Sequence, residues 1–397
     1  MVSLDSRNKR PPGRARSQNN RIAGHRGSAT ACTCEQLESR QFLSVAPGIT
    51  PDQSSTLIVT VGPKNARFAQ FVDAEGNTDI FSLKGPGTAT VSLFGSDLAA
   101  NPAKGGGQQV GGTGIGVTSI SITGTNRHTS VLFTLAKHTR AAAPLPVGSL
   151  SADGAVGALS GNIDITGALT IGGTLGKVAV SGLDGGSVPT SFTASSIGSL
   201  TDLGNLGESI SVSGAIGKTV IRGNVTGSIS GALITSLTVG GSITGSTITL
   251  GQPLISKHSD LGKLTVAGNF AASTLNAAGN IGPIAVGALS DSTIDAGGVS
   301  LPSSFISEAT ISSVKAGSTA GTSIEAFTVG KVALGSVQTA NNGVPFGVAG
   351  ATIAQVTGIA GINGRKFNLK KLNNQALVSA DLAKLGITGV DFTITIL

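Results

Sequence analysis

Asp73-Ala74-Glu75-Gly76-Asn77-Thr78-Asp79 sets four oxygen-bearing side chains, Asp73, Glu75, Asn77 and Asp79, at alternate positions, a pattern that invites calcium. It is not an EF-hand loop, because the glycine falls fourth and the twelfth position is Lys84. A hairpin turn between Phe71 and Phe81 accounts for the same residues by ordinary turn chemistry, and is the preferred reading. Gly217-Lys218-Thr219 has the ending of a phosphate-binding loop, but Val212 stands where the first glycine of that loop belongs. Gly-Lys recurs at 176, 262 and 330, so a repeat explains it. No G-x-S-x-G nucleophile elbow occurs, and His25, His128, His138 and His258 lack the spacing of a zinc helix. Cys32 and Cys34 have one residue between them, too close for a relaxed disulfide, and two thiolates do not complete a zinc site. Apart from the calcium option, no cofactor is implied.

The chain that must position these residues has an unusual composition. Glycine is 59 of 397 residues, charged residues are 12%, Trp and Tyr are absent, and 13 Phe are the only aromatics. Mean hydropathy is +0.27. Low charge argues against disorder over most of the chain, and the scarcity of aromatics argues against a large ordinary enzyme core. No apolar run reaches the length of a membrane helix.

Most of the net charge of +7 sits in residues 1–40, where Arg7, Lys9, Arg10, Arg14, Arg16, Arg21, Arg26 and Arg40 face only Asp5, Glu35 and Glu38. With Pro11, Pro12 and Gly13 in it, residues 1–31 read as a solvated basic leader. No nucleic-acid-reading module follows, so nucleic acid is not the expected partner. Residues 32–50 hold Glu35-Gln36-Leu37-Glu38-Ser39-Arg40-Gln41-Phe42-Leu43-Ser44. This resembles the LEPR-XLL sorting signature of surface and secreted proteins of planctomycete-type bacteria. Leu37, Glu38, Arg40 and Leu43 match, while Ser39 replaces the family's Pro and Phe42 its usual Leu. The resemblance implies export, with N-terminal processing, to the cell surface or medium, and such leaders commonly precede β-repeat regions.

Residues 51–145 alternate in short runs, Leu57–Val61, Phe68–Val72, Ile80–Leu83 and Thr88–Phe94, separated by Gly-Pro and Gly-Asn turns. They read as a small antiparallel β unit with a loose glycine-rich loop over 101–116 and an exit linker at 141–146. Residues 146–364 repeat one template: apolar, Gly, polar, apolar, any, apolar, any, Gly. It begins at Leu175, Ile197, Ile216, Ile234, Leu261, Ile281, Ile311, Val329 and Ile353. A unit of about 18–20 residues with period-two alternation is one coil of a parallel β-helix, right-handed by the crossover preference. Glycine corners with positive φ, inward aliphatic ladders, and bulging loops at Gly251–Asp260 and Val299–Thr310 follow from that assignment. Residues 365–397 form a C-terminal cap, with a short helix over Ser379–Gly386 capped by Ser379 and a strand over Val390–Leu397.

Parallel β-helices resemble polysaccharide lyases and hydrolases, whose sites need carboxylates converging from adjacent coils. Measured from their coil starts, Asp184, Asp202, Asp291 and Asp295 fall at different offsets, and Asp260 precedes its coil, so adjacent coils are not expected to align them. The all-β solenoid is therefore expected to be non-catalytic, with a structural or adhesive role toward a surface or matrix polysaccharide. Carbohydrate binding or polysaccharide degradation is the alternative.

Overall fold

The computed structural model describes residues 54–136, 143–185, 191–251, 259–297, 299–300, 304–305, 308–387 and 390–397. The leader, the sorting signature with Leu37, Glu38, Arg40 and Leu43, and both cysteines lie outside them. Residues 51–397 form one compact unit.

The protein is an all-β solenoid. Its leading strands are β1 (Ser55–Val61), β2 (Phe68–Asp73), β3 (Thr78–Lys84), β4 (Thr88–Ala103), β5 (Gly107–Thr123) and β6 (Ser130–Leu135). β1 pairs antiparallel with β4, β4 with β5, β2 with β3, and β3 with β6. The segment 101–116, expected as a loop, is strand: the β4–β5 hairpin runs out to Ala103 opposite Gly107. Three register shifts absorb the glycines, and Gly105 and Gly106, both with positive φ, make the turn.

Next come β7 (Leu145–Val147), β8 (Leu150–Ala152) and β9 (Val156–Ser160), which stack parallel on β5 and β6. The leading unit thus forms the rung on which the first coil lies. Leu145 and Pro146, expected within the linker, already belong to the spiral, since Leu145–Val147 pairs with Ile163–Ile165.

The nine coil starts stack in register: Leu175 on Ile197, Ile197 on Ile216, Ile216 on Ile234, Ile234 on Leu261, and onward through Ile281, Ile311 and Val329 to Ile353. Val156 adds a coil below them. Each start is buried, as are the residues three and five positions on in every coil but the last, where Gly358 takes the final place, so each of the other coils sends three side chains inward from one strand. A facing row runs Leu150, Leu169, Phe192, Ile210, Ile229, Ile248, Leu275, Ile294, Ile324, Val348 and Ile394. Buried side chains, mostly aliphatic and about 4.8 Å apart along each row, fill the interior, and this burial is what holds the coils together. Of the bulging loops, 252–258 lies outside the described residues, and Val299–Ser300 pairs antiparallel with Ser304–Phe305.

Template glycines do not serve as positive-φ corners. Gly176, Gly217, Gly223 and Gly241 are absent from the left-handed region. They are required by close approach between coils. A Cβ on Gly217 would lie 1.8 Å from the Gly198 carbonyl oxygen, and one on Gly223 would lie 2.3 Å from Asn205 Oδ1 and 2.5 Å from the Gly204 carbonyl oxygen. Gly223→Ala is expected to destabilise the protein by about 1–3 kcal/mol through this overpacking. Denaturant unfolding measures it, and a smaller cost in an Asn205→Ala background would confirm that the side chain below is the obstacle.

The last coil is closed by Lys366–Leu372, antiparallel to Thr352–Ala360, and by Phe392–Ile396, parallel to Phe346–Gly350. Between them lies helix α1 (Gln375–Lys384), which buries Val378 and Leu382. The helix begins a turn earlier than expected. Asn374, not Ser379, is its cap, accepting from the Ala376 and Leu377 N–H groups, and that start puts the Val378 and Leu382 pair on the inner face.

Candidate functional site

Carboxylates are the groups with most chemical potential in this chain, and the folded coils bring together some that their offsets seemed to separate. At one corner, Asp164 Oδ1 accepts from Asp184 N (3.5 Å), Asp184 from the Asn205 N–H, Asn205 Oδ1 from Asn224 N (2.9 Å), Asn224 Oδ1 from Ser242 N (2.9 Å), and Ser242 Oγ from Asn269 N (3.0 Å). The side chain of each coil thus satisfies a backbone N–H of the next. Burial and then the Asp164 charge raise the Asp184 pKa, opposed by the Asn205 N–H.

Asp202 stands close by, but inside. In the ladder it lies between Val180 and Ile221, a row of aliphatic residues, and it is 0% exposed. Gly204 N donates to Oδ1 at 2.9 Å, while Oδ2 has no partner. Burial pushes its pKa up to about 7; the Asp184 and Asp164 charges add to this and the Gly204 hydrogen bond opposes it. Such a group has the pKa of a general acid or base, yet its closed surroundings admit no substrate.

Asp295 and Glu325 form a different pair. They occupy matched positions on adjacent coils, in register on neighbouring parallel strands, with Asn276 in the same row. Both are half-buried, and burial, with the Asp295 charge second, raises the Glu325 pKa. Glu325 is the residue that the sequence reading passed over. Its offset of 14 from Ile311 equals that of Asp295 from Ile281, and that equality is the signal. Asp291, by contrast, occupies a turn with a positive φ, and Asp260 accepts from Gly279 N at 2.7 Å.

The four residues considered for calcium do form a hairpin turn. Asp73 accepts from Asn77 N (2.6 Å) through Oδ1 and from Asn77 Nδ2 (2.9 Å) through Oδ2, Glu75 is exposed, and Asp79 is buried across the hairpin. Burial, then the Asp73 charge and hydrogen bond, raise the Asp79 pKa to about 7. Among the described residues no group of three or more His, Cys, Asp or Glu is placed to hold a metal ion.

Gly217-Lys218-Thr219 is split by the coil. Lys218 is exposed while Thr219 is buried in the interior row between Leu200 and Leu237, so the two cannot converge on one phosphate. A cavity of about 850 Å³ opens near the C-terminal coils, lined by small and polar residues including Asn269, Ser290, Ser318, Gln338 and Asp391. The Asp391 carboxylate is occupied by the backbone N–H groups of Asn341 and Gly343.

The template's third position, by contrast, faces outward on every coil. Along it lie Ala158, Lys177, Ser199, Lys218 and Ser236 in register, then Lys263 at the same template position. Farther on the row continues Pro283, Ser313, Lys331, Gln355 and Lys370. Lys177, Lys218, Lys263, Lys331 and Lys370 are all exposed. The strand pairs set their lateral order, so the row is a fixed property of the stack.

Comparison with family models, with curated proteins and with solved structures finds no match. No helix of the described residues is long and apolar enough to cross a membrane.

Proposed function

We propose that this chain is a non-catalytic, secreted or cell-surface β-solenoid with a structural or adhesive role. One observation carries the reading: the nine coil starts stack in register over a filled interior, so the long outer rows stay aligned from coil to coil. A rod of this kind offers extended, regular surfaces for contact with a polymer, and its carboxylates of highest pKa are enclosed. The leader's likeness to a sorting signature supports export. Cell fractionation with N-terminal sequencing of the mature protein tests it, together with immunogold labelling. Cell-surface or medium protein cleaved near Ser44 is the expected result, and an uncleaved cytoplasmic chain would overturn the reading.

Polysaccharide degradation has one observation in its favour, the in-register Asp295 and Glu325. Product release in a depolymerisation screen, abolished by Glu325→Gln, would replace the non-catalytic reading with that one.

A further inference from the structure

The lysine row belongs to a wider basic face. The outward residues from one position before each coil start to four after it form one continuous surface along the stack. On this surface and its closing strand lie Lys177, Lys218, Lys263, Lys315, Lys331, Lys366, Lys370 and Lys371, all exposed. Lys315 stands in register between Ala285 and Ala333, and Lys366 and Lys370 come from the strand that closes the last coil. Asp260 is the acid on this surface among the described residues, and its carboxylate is bound to the Gly279 N–H. Beyond the template start and its two inward partners, the residues between the lysines are mostly Gly, Ala, Ser and Thr, as at Gly176, Ala179, Ser199, Thr201, Ser236 and Thr238. Among the described residues none of these lysines is in an ion pair; the pair formed there is Lys384 with Asp381 on the helix.

This concentration is not a consequence of overall charge. Outside the basic leader the chain is close to neutral, so eight cations with a single carboxylate on one face is a segregation of charge. Lys177, Lys218 and Lys263 recur on every second coil, which places their backbone positions ~9.6 Å apart given a parallel-strand spacing of about 4.8 Å. Serine occupies the coil between them, at Ser199 and Ser236. Alternating cation and hydroxyl along this in-register row suits an extended polymer whose units carry both carboxylates and hydroxyls.

We infer that this face binds a linear acidic polysaccharide, a uronate-type polymer lying along the solenoid axis, with the lysine ammonium groups on its carboxylates and the intervening Ser and Thr on its hydroxyls. The inference rests on the adhesive reading above and names its ligand. Duplex DNA fits the track poorly. Its charges recur about every 1.7 Å along the helix axis, and the described residues of the face are strand, with no helix among them to enter a groove. Single strands would need aromatic platforms, and none of the outward residues named is aromatic.

The test uses the full chain and three probes at low and physiological salt: polygalacturonate, neutral dextran, and a random-sequence DNA duplex. Polygalacturonate is expected to bind with an affinity that falls with salt, and dextran not to bind. The variant Lys177→Gln/Lys218→Gln/Lys263→Gln should bind polygalacturonate roughly tenfold more weakly, the combined loss of three exposed ion pairs. Changing Lys64, Lys84 and Lys104 of the leading unit to Gln serves as the control, because these are equally exposed and keep the net charge matched. Equal loss in both triple variants, or no loss in the first, would overturn the inference, since binding would then follow net charge or the leader. Duplex DNA bound as tightly as polygalacturonate would overturn the polysaccharide assignment. Wild-type protein that binds no probe would also overturn it, while a surface location found by immunogold would leave the adhesive or structural reading standing.

Discussion

Replacing Asp202 with valine is expected to stabilise the folded chain by up to about 4 kcal/mol at pH 8 and to leave it nearly unchanged at pH 4. The side chain is 0% exposed, lies in register between Val180 and Ile221, and holds one oxygen without a partner. Its pKa in the fold is about 7, against an ordinary value of 3.8. A carboxyl whose folded pKa is raised binds its proton more tightly in the native state than in the unfolded one. Its favourable contribution is therefore complete below pH 4 and declines as pH rises toward 7, where the folded group also ionises. Asp79, likewise raised to about 7, adds a second contribution of the same sign. Wild-type protein should thus be more stable at pH 5 than at pH 8, and Asp202→Val should remove about half of that difference. Valine is larger than aspartate, but Val180 and the still larger Ile221 on the neighbouring rungs show that the row accepts it. Thermal or urea unfolding across pH 4–8 measures the effect; a variant with unchanged pH dependence would show that Asp202 is not the titrating group.

Phe270→Ala should lower stability by about 3–5 kcal/mol. Phe270 is 0% exposed, stacked on Ile243 below and Leu289 above in the corner row that continues from Leu206 and Val225. Hydrogen-bonded strands hold these rungs at fixed separation, so the walls cannot collapse onto the void, and the loss should fall near the upper end of that range. Because each coil touches only its neighbours, damage should concentrate in the coils on either side. Hydrogen exchange should show faster opening around residues 243–289 than around 156–180, and uniform acceleration along the spiral would contradict the nearest-neighbour account.

What could be read without coordinates depended on which forces act along the chain and which act between coils. Alternating Ile, Leu and Val with a fixed Gly set the strand period and the register at once, and the starts at Leu175, Ile197, Ile216 and the rest coincide with the pairing. The polar residues were harder. Asp202 sits five positions after Ile197, as Val180 does after Leu175 and Ile221 after Ile216, so its inward position was legible in the template. Comparing carboxylates only with one another concealed it. Asp164 and Asp184 meet through a corner whose geometry depends on a hydrogen bond to the next coil, and nothing local in the sequence encodes that contact. Gly245, Gly297 and Gly321 do take positive φ as expected, but the template glycines serve close stacking instead, and only the neighbouring coil distinguishes the two roles. Asn374 was overlooked as a helix cap because the short apolar pattern after it first becomes amphipathic in three dimensions.

The corner running from Asp164 to Asn269 is directional: every acceptor along it belongs to the earlier coil and every donor to the later one. A chain made from its N-terminus therefore meets, at each turn, a finished edge already presenting the acceptor that the incoming turn requires. At this corner each new turn is templated by the one already laid down, whereas at the corner of Ser246, Ser273 and Ser292 the donor belongs to the earlier coil and the acceptor to the later.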